Sequence, residues 1–202
     1  MIGELGVSGS VQMKHIRAVR APLGWRLRNA LRWAYIFGWF VNGVARAFSR
    51  LTGVPTMTAE LRGLLIRADG SKVNYGILSR RVVTTAFVTF MVDQMQTDTT
   101  AWGDYKWHDS GVGSTAENVA NTDMETTDGE SRVAGSQTEG AANVYVSVGT
   151  ISYTSTKAIT EHGLFNASTG PTLLDRSVFS AINVVSGDSI QFTYSLSVNS
   201  GG

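Results

Sequence analysis

The 202 residues include no cysteine, which excludes a disulfide framework and a thiolate zinc site as ways of holding the fold. Burial must supply the stability, with oligomerisation as the available supplement. Long hydrophobic runs are missing as well. Trp33 to Ala45 is a thirteen-residue run without charge, and as a helix it spans about 20 Å against about 30 Å of bilayer hydrocarbon. Association with a membrane is therefore not expected. A basic start, this run and Ala45-Arg46-Ala47 imitate the three parts of a secretory signal, but the basic lead is unusually long for one.

Signatures of catalysis are equally scarce. Gly111-Val112-Gly113-Ser114 has no following lysine and lacks the strand-to-helix setting of a phosphate loop. Ser, His and Asp occur without a nucleophile elbow. His15, His108 and His162 fall in an arm, a loop and a strand, with no spacing that would gather them. Asp123, Glu125, Asp128 and Glu130 surround Gly129 but miss the calcium-loop pattern, and read as a solvated turn. The expectation is a non-enzymatic chain without catalytic residue, cofactor or metal. Asn166-Ala167-Ser168 meets the glycosylation pattern only formally.

What the chain does have is an uneven charge distribution. Residues 1–67 hold ten Lys/Arg against two Asp/Glu, and residues 68–202 hold seven against fourteen. The overall charge of +1 hides this split, which points to an anionic or otherwise distinct partner for the basic part. The alternative is that the basic part folds back on its own acidic body.

Three regions follow. Residues 1–55 read as a basic arm and a docking helix, 56–71 as a linker, and 72–202 as a β-sandwich-like body. From Leu23 to Phe48 apolar residues recur at three- and four-residue steps among arginines, after Pro22 at a helix start. Thr84 and Thr85 are placed to cap a second, short helix with Phe87, Phe90, Met91 and Met95 on one face, with a strand as the alternative that the β-branched content offers. Residues 96–140 are poor in apolar side chains, apart from Trp102, Tyr105 and Trp107, and read as long surface loop with room for one strand inside it.

Beyond the loop, Lys157–Phe165, 172–185 and Ser189–Asn199 alternate as strands, as does 143–153 before them. The clearest is the last, where Ile190, Phe192, Tyr194, Leu196 and Val198 face one way. The predicted fold class is mainly β: an antiparallel sandwich or jelly-roll-like body with an N-terminal basic amphipathic helix and one further short helix.

Two sets of residues stand out. With the β-turn centred between Ser168 and Thr169, Leu164 falls opposite Leu173 and Glu161 opposite Arg176, an ion pair that would fix register. Trp25, Arg28, Arg32, Trp33, Phe37, Trp39, Phe40 and Arg46 form the candidate docking surface. Their mixture of arginine and aromatic side chains suits a protein groove, with packaged nucleic acid or a membrane surface as other partners.

Val73-Asn74-Tyr75-Gly76, Leu78 to Thr84, Ile159 to Phe165, Leu174 to Phe179, His108 to Gly113 and Gly187-Asp188-Ser189 together resemble a family of small tailed-bacteriophage virion proteins. The resemblance covers roughly residues 70–202. It implies a β-rich virion structural protein, either a capsid decoration or cement protein or a tail component, and transfers no catalytic residue. The resulting expectation is a cement protein on the phage head. It would be a homo-oligomer, expected as a trimer, docked on the major capsid protein. A tail adaptor or fibre component and a carbohydrate-binding virion module are the alternatives.

Overall fold

The computed structural model describes residues 18–32, 56–80, 83–96, 105–141, 143–170 and 172–199, with isolated positions between 40 and 52. Ten strands and two helices are assigned within them. In chain order they are β1 (Val19–Arg20), α1 (Leu23–Ala30), β2 (Thr56–Ile66), β3 (Lys72–Ser79), α2 (Thr85–Gln96), β4 (Trp107–Gly111), β5 (Val133–Ala134), β6 (Ser136–Glu139), β7 (Val144–Ser152), β8 (Lys157–Phe165), β9 (Leu173–Val184) and β10 (Ser189–Asn199).

The strands form two sheets, ordered β1-β3-β2-β10-β7-β6 and β5-β4-β8-β9. Every pairing is antiparallel except the two-residue contact of β1 with β3. The fold is thus mainly β. Period-two alternation puts Ile190, Phe192, Tyr194 and Leu196 in one core with Ile159, Leu164, Phe179 and Ile182 of the other sheet. Val198, expected on the same face, lies past the end of that core and is exposed.

Residues 56–71 are not a linker. They contain β2, an eleven-residue strand paired with β10 on one side and β3 on the other. Ala59, Leu61 and Leu65 of β2 are buried in the core. Glu60 and Arg62 point to the opposite face, where they pair with each other at 2.7 Å and Glu60 also meets Arg80 at 3.1 Å.

The helix expected from Leu23 to Phe48 is not one continuous helix: α1 stops at Ala30 and the chain turns at Leu31 and Arg32, while residues 40, 43–44 and 47–48 are again helical. The second helix forms as expected, with the Thr84 hydroxyl accepting from the Phe87 amide at 3.3 Å. Phe87 is buried, Phe90 and Met91 are partly so, and both phenyl rings meet Tyr105 edge-on at about 5 Å. The side chain of Met95, and Trp102, lie outside the described residues.

The segment 112–132 lies down on the second sheet, over the face turned away from the shared core. Met124 of that segment forms a separate small core with Phe165 and Leu173, against which Trp107 packs. The Arg132 guanidinium stacks on the Phe165 ring at 3.4 Å while its Nε donates to Asp109 at 3.0 Å. Most of the segment is exposed surface loop, as its polar composition suggests, but it is pinned to the sheet at these points.

Candidate docking surface and buried polar networks

Helix α1 has two faces with different roles. Trp25 and Asn29, one turn apart, are buried against the body. The Trp25 indole N–H points at the carbonyls of Ser180 and Ala181, each at 3.0 Å, and its ring sits edge-on to Tyr75. The Asn29 side chain donates to Leu78 O at 3.1 Å and accepts from the Ser180 amide at 3.1 Å. One asparagine thus satisfies backbone groups of β3 in one sheet and β9 in the other. Unpaired strand edges are places where chains aggregate, and α1 covers two of them.

The opposite face carries Leu23, Leu27 and Leu31, which are 67%, 53% and 73% exposed. Their four-residue spacing makes a continuous stripe on the helix. Beside it lies a groove of about 350 Å³ whose lining includes Leu23, Trp25, Arg26, Leu27, Tyr75 and Ile77. Further along, residues 40, 43–44, 47–48 and 51–52 are helical. Phe40, Val44, Phe48 and Leu51, at steps of four, four and three, are exposed. No aspartate or glutamate occurs between Glu4 and Glu60.

The structure divides the expected docking set. Arg28 and Phe40 are exposed, and Arg32 is half-buried. Burial draws the Arg32 guanidinium below its ordinary value, opposed by the charge of Glu117. Trp25 is a correction: its side chain is buried against the body, and it meets the surface only as part of the groove lining. Trp33, Phe37, Trp39 and Arg46 lie outside the described residues. Leu23, Leu27 and Leu31 carry the helical period in the sequence, but period alone does not say which face of the helix the body covers, and it is the leucine face that is left open.

The Glu161–Arg176 pair forms, with Arg176 Nε 2.7 Å from Glu161 Oε2 and both side chains buried. The expected register does not hold. Arg176 lies opposite Gly163, and Glu161 opposite Val178: Phe165 rather than Leu164 pairs with Leu173, a shift of one residue at the turn, and Leu174 bulges out of the ladder before Asp175 to add a second. The ion pair is diagonal across the strands.

Glu161 also accepts three backbone hydrogen bonds from the covering segment: Gly113 and Thr126 on Oε1 at 3.0 and 2.8 Å, and Glu125 on Oε2 at 3.1 Å. Arg176 reaches the same segment through Glu125 at 3.1 Å and Asn121 at 3.3 Å. A Cβ on Gly113 would stand 2.4 Å from Glu161 Oε1. The pair therefore anchors 112–132, and glycine is what lets the backbone come close enough.

Inside the shared core, His108 Nδ1 lies 2.9 Å from His162 Nε2, and His108 Nε2 lies 2.8 Å from Ser147 Oγ. The two histidines are gathered after all. They come from β4 and β8, which pair across about fifty residues, a relation that no short-range spacing encodes. The order serine, histidine, histidine is that of a nucleophile, a base and an orienting group. All three side chains are fully buried, however, and Gly149 packs so closely that a Cβ there would be 2.5 Å from His108 Cδ2. With no room for a substrate carbonyl, the trio links the two sheets.

The acidic turn is also tied in. Glu130 accepts from Lys157 Nζ at 2.6 Å and from the Thr154 amide and hydroxyl. The Lys157 hydrogen bond is the largest influence holding its carboxyl down to about 2, followed by the Thr154 amide. Asp128 accepts from Ser110, whose oxygen in turn receives Tyr153 at 3.2 Å. Among the described residues no group of three or more His, Cys, Asp or Glu is arranged to hold a metal ion. No described helix is long and apolar enough to cross a membrane.

No protein-family model, curated protein or solved structure matches the chain.

Proposed function

We propose that the chain is a non-enzymatic structural protein of a phage virion, a cement or decoration subunit that stabilises the head by bridging capsid subunits. In this reading the two sheets make a jelly-roll-like sandwich that assembles as a trimer. The amphipathic N-terminal segment seats its apolar side in a groove between major capsid proteins.

The observation that carries the reading is the uncovered stripe Leu23, Leu27 and Leu31, with Phe40, Val44, Phe48 and Leu51 beyond it. Clustered apolar area of this kind on a surface marks a contact with another protein. The acid-free, arginine-bearing surroundings favour a groove of acidic character, since complementary charge steers and registers such contacts. Cementing then works by mass action: a subunit that binds only the assembled lattice stabilises it over its open forms. The resemblance of residues 70–202 to phage virion proteins points the same way.

The test is a variant with Leu23→Ser, Leu27→Ser and Leu31→Ser, added to particles lacking the protein. These side chains are exposed, so the variant is expected to fold normally but fail to join or stabilise the heads. Normal incorporation overturns the docking role. A copy number on the scale of the capsid lattice supports cement, and a tail-scale number moves the protein to the tail.

A further inference from the structure

The histidine bridge has properties beyond joining the sheets. A neutral imidazole offers one N–H and one acceptor nitrogen. The 2.9 Å contact between His108 Nδ1 and His162 Nε2 therefore needs one ring to donate and the other to accept. In either tautomeric arrangement His162 Nδ1 has no hydrogen-bond partner. A first proton on the pair creates a charge deep in the core, and a second places N–H against N–H.

The surroundings offer that charge little compensation. From β7 come Ser147 and Gly149, and Gly135 closes on His108 from the junction of β5 and β6. The Phe192 ring of β10 lies 4.6 Å from the His162 ring. From β9 comes Ser177, the cross-strand neighbour of His162, bonded to the Asp175 carboxyl at 2.7 Å. Burial holds that carboxyl well above the usual carboxylate range, towards its neutral form. Tyr145 of β7 and Tyr194 of β10 are likewise displaced upward by burial and stay neutral. No anion from β7, β9 or β10 is set to receive an imidazolium.

We infer that His108, His162 and Ser147 form an acid-released lock between the two sheets: His108, held by His162 within its own sheet, reaches Ser147 of the other, and proton uptake by imidazoles that the closed core keeps neutral favours the separated sheets. Burial lowers His108 to about 4, and burial together with His108 lowers His162 well below its ordinary value. A histidine with a lowered folded value takes up its proton on unfolding, so its stabilising effect weakens as pH falls below about 6.5. From pH 6.5 to 5.0 each such histidine raises the unfolding constant about 15-fold, and the two together about 200-fold.

The experiment is equilibrium urea unfolding of the full chain at half-unit steps from pH 6.5 to 5.0. It compares wild type with His108→Gln, His162→Leu and the double variant. Asp109 and Asp175 are common to all four, so the differences isolate the histidines. Wild type is expected to lose about 200-fold more than the double variant, and each single variant about 15-fold more. Equal pH slopes in wild type and double variant overturn the proposal. Should the variants not fold, the Cε1–H resonances of the three histidines decide it in folded wild type. No more than one is expected to titrate between pH 7.5 and 5.0, and titration of two or more overturns the lock.

Discussion

Replacing Glu161 by glutamine keeps the size of the side chain and removes its charge and one acceptor. The carboxylate receives four hydrogen bonds, two on each oxygen. The amide can serve one oxygen's pair and must turn its NH₂ towards the other. If its oxygen stays with Arg176 and Glu125, the amides of Gly113 and Thr126 are left facing a donor. Each buried donor left unpaired costs about 1–3 kcal/mol, giving about 2–6 kcal/mol for two. Breaking a buried ion pair by removing one partner independently gives about 3–5 kcal/mol. The expected loss is therefore about 4 kcal/mol, which lowers the urea midpoint by about 2 M for a slope of about 2 kcal/mol/M.

The same variant separates an anchor from a simple ion pair. Arg176→Met also strands a buried charge and should destabilise comparably, but it leaves the three backbone amides on Glu161. Amide hydrogen exchange at Gly113, Glu125 and Thr126 is then expected to accelerate sharply in Glu161→Gln and to remain slow in Arg176→Met under native conditions. Equal acceleration in both variants, or a midpoint within about 0.5 M of wild type for Glu161→Gln, would refute the anchoring argument.

Five other outcomes follow from the geometry. Asn29→Leu orphans the Ser180 amide and the Leu78 carbonyl and should cost about 2–3 kcal/mol in chemical denaturation, while deletion of residues 1–55 removes both edge covers and should give a body that aggregates in size-exclusion chromatography. The two glycines have opposite signs: Gly149→Ala drives a Cβ into the His108 ring and should lower stability by about 1–3 kcal/mol, whereas Gly24→Ala, with nothing within 4 Å inside helix α1, should raise it by about 0.5–1 kcal/mol. The Glu130 carboxyl, held at about 2, contributes stability above about pH 4.5 that is lost as pH falls through about 2. In Lys157→Met its carbon resonance should titrate closer to 4.5, since the largest cause of the displacement is gone.

Where one face of a strand is buried and the other wet, alternation displays the strand directly, and β8 and β10 run over the residues the pattern marks. The same rule hides β2. Its inward residues Ala59, Leu61 and Leu65 share the segment with Glu60, Arg62 and Gly63, and Pro55 just before suggests a break. Its identity as a strand comes from partners more than a hundred residues away in β10. The Glu161–Arg176 pair was legible because the two residues lie on neighbouring antiparallel strands. Its register was not, because the pairing shifts by one residue at the turn, where Phe165 takes the place of Leu164 opposite Leu173, and the bulged Leu174 shifts the ladder by one more. The histidine contact and the anchoring of 112–132 both depend on the pairing of β4 with β8, which local pattern does not encode.

These relations change what the N-terminal helix is. Composition alone makes it a basic, aromatic appendage, and an appendage could be removed without disturbing the body. Trp25 and Asn29 make it part of the body, since their hydrogen bonds end on backbone atoms of β3 and β9 in the two different sheets. A partner that seats Leu23, Leu27 and Leu31 therefore holds a helix bonded to both sheets. Binding energy gained on the leucine face opposes separation of the sheets, and the proton-sensitive histidine bridge resists the same separation from inside the core. Docking outside and the bridge inside are thus coupled through one motion, so occupancy of the leucine face should shift acid unfolding to lower pH.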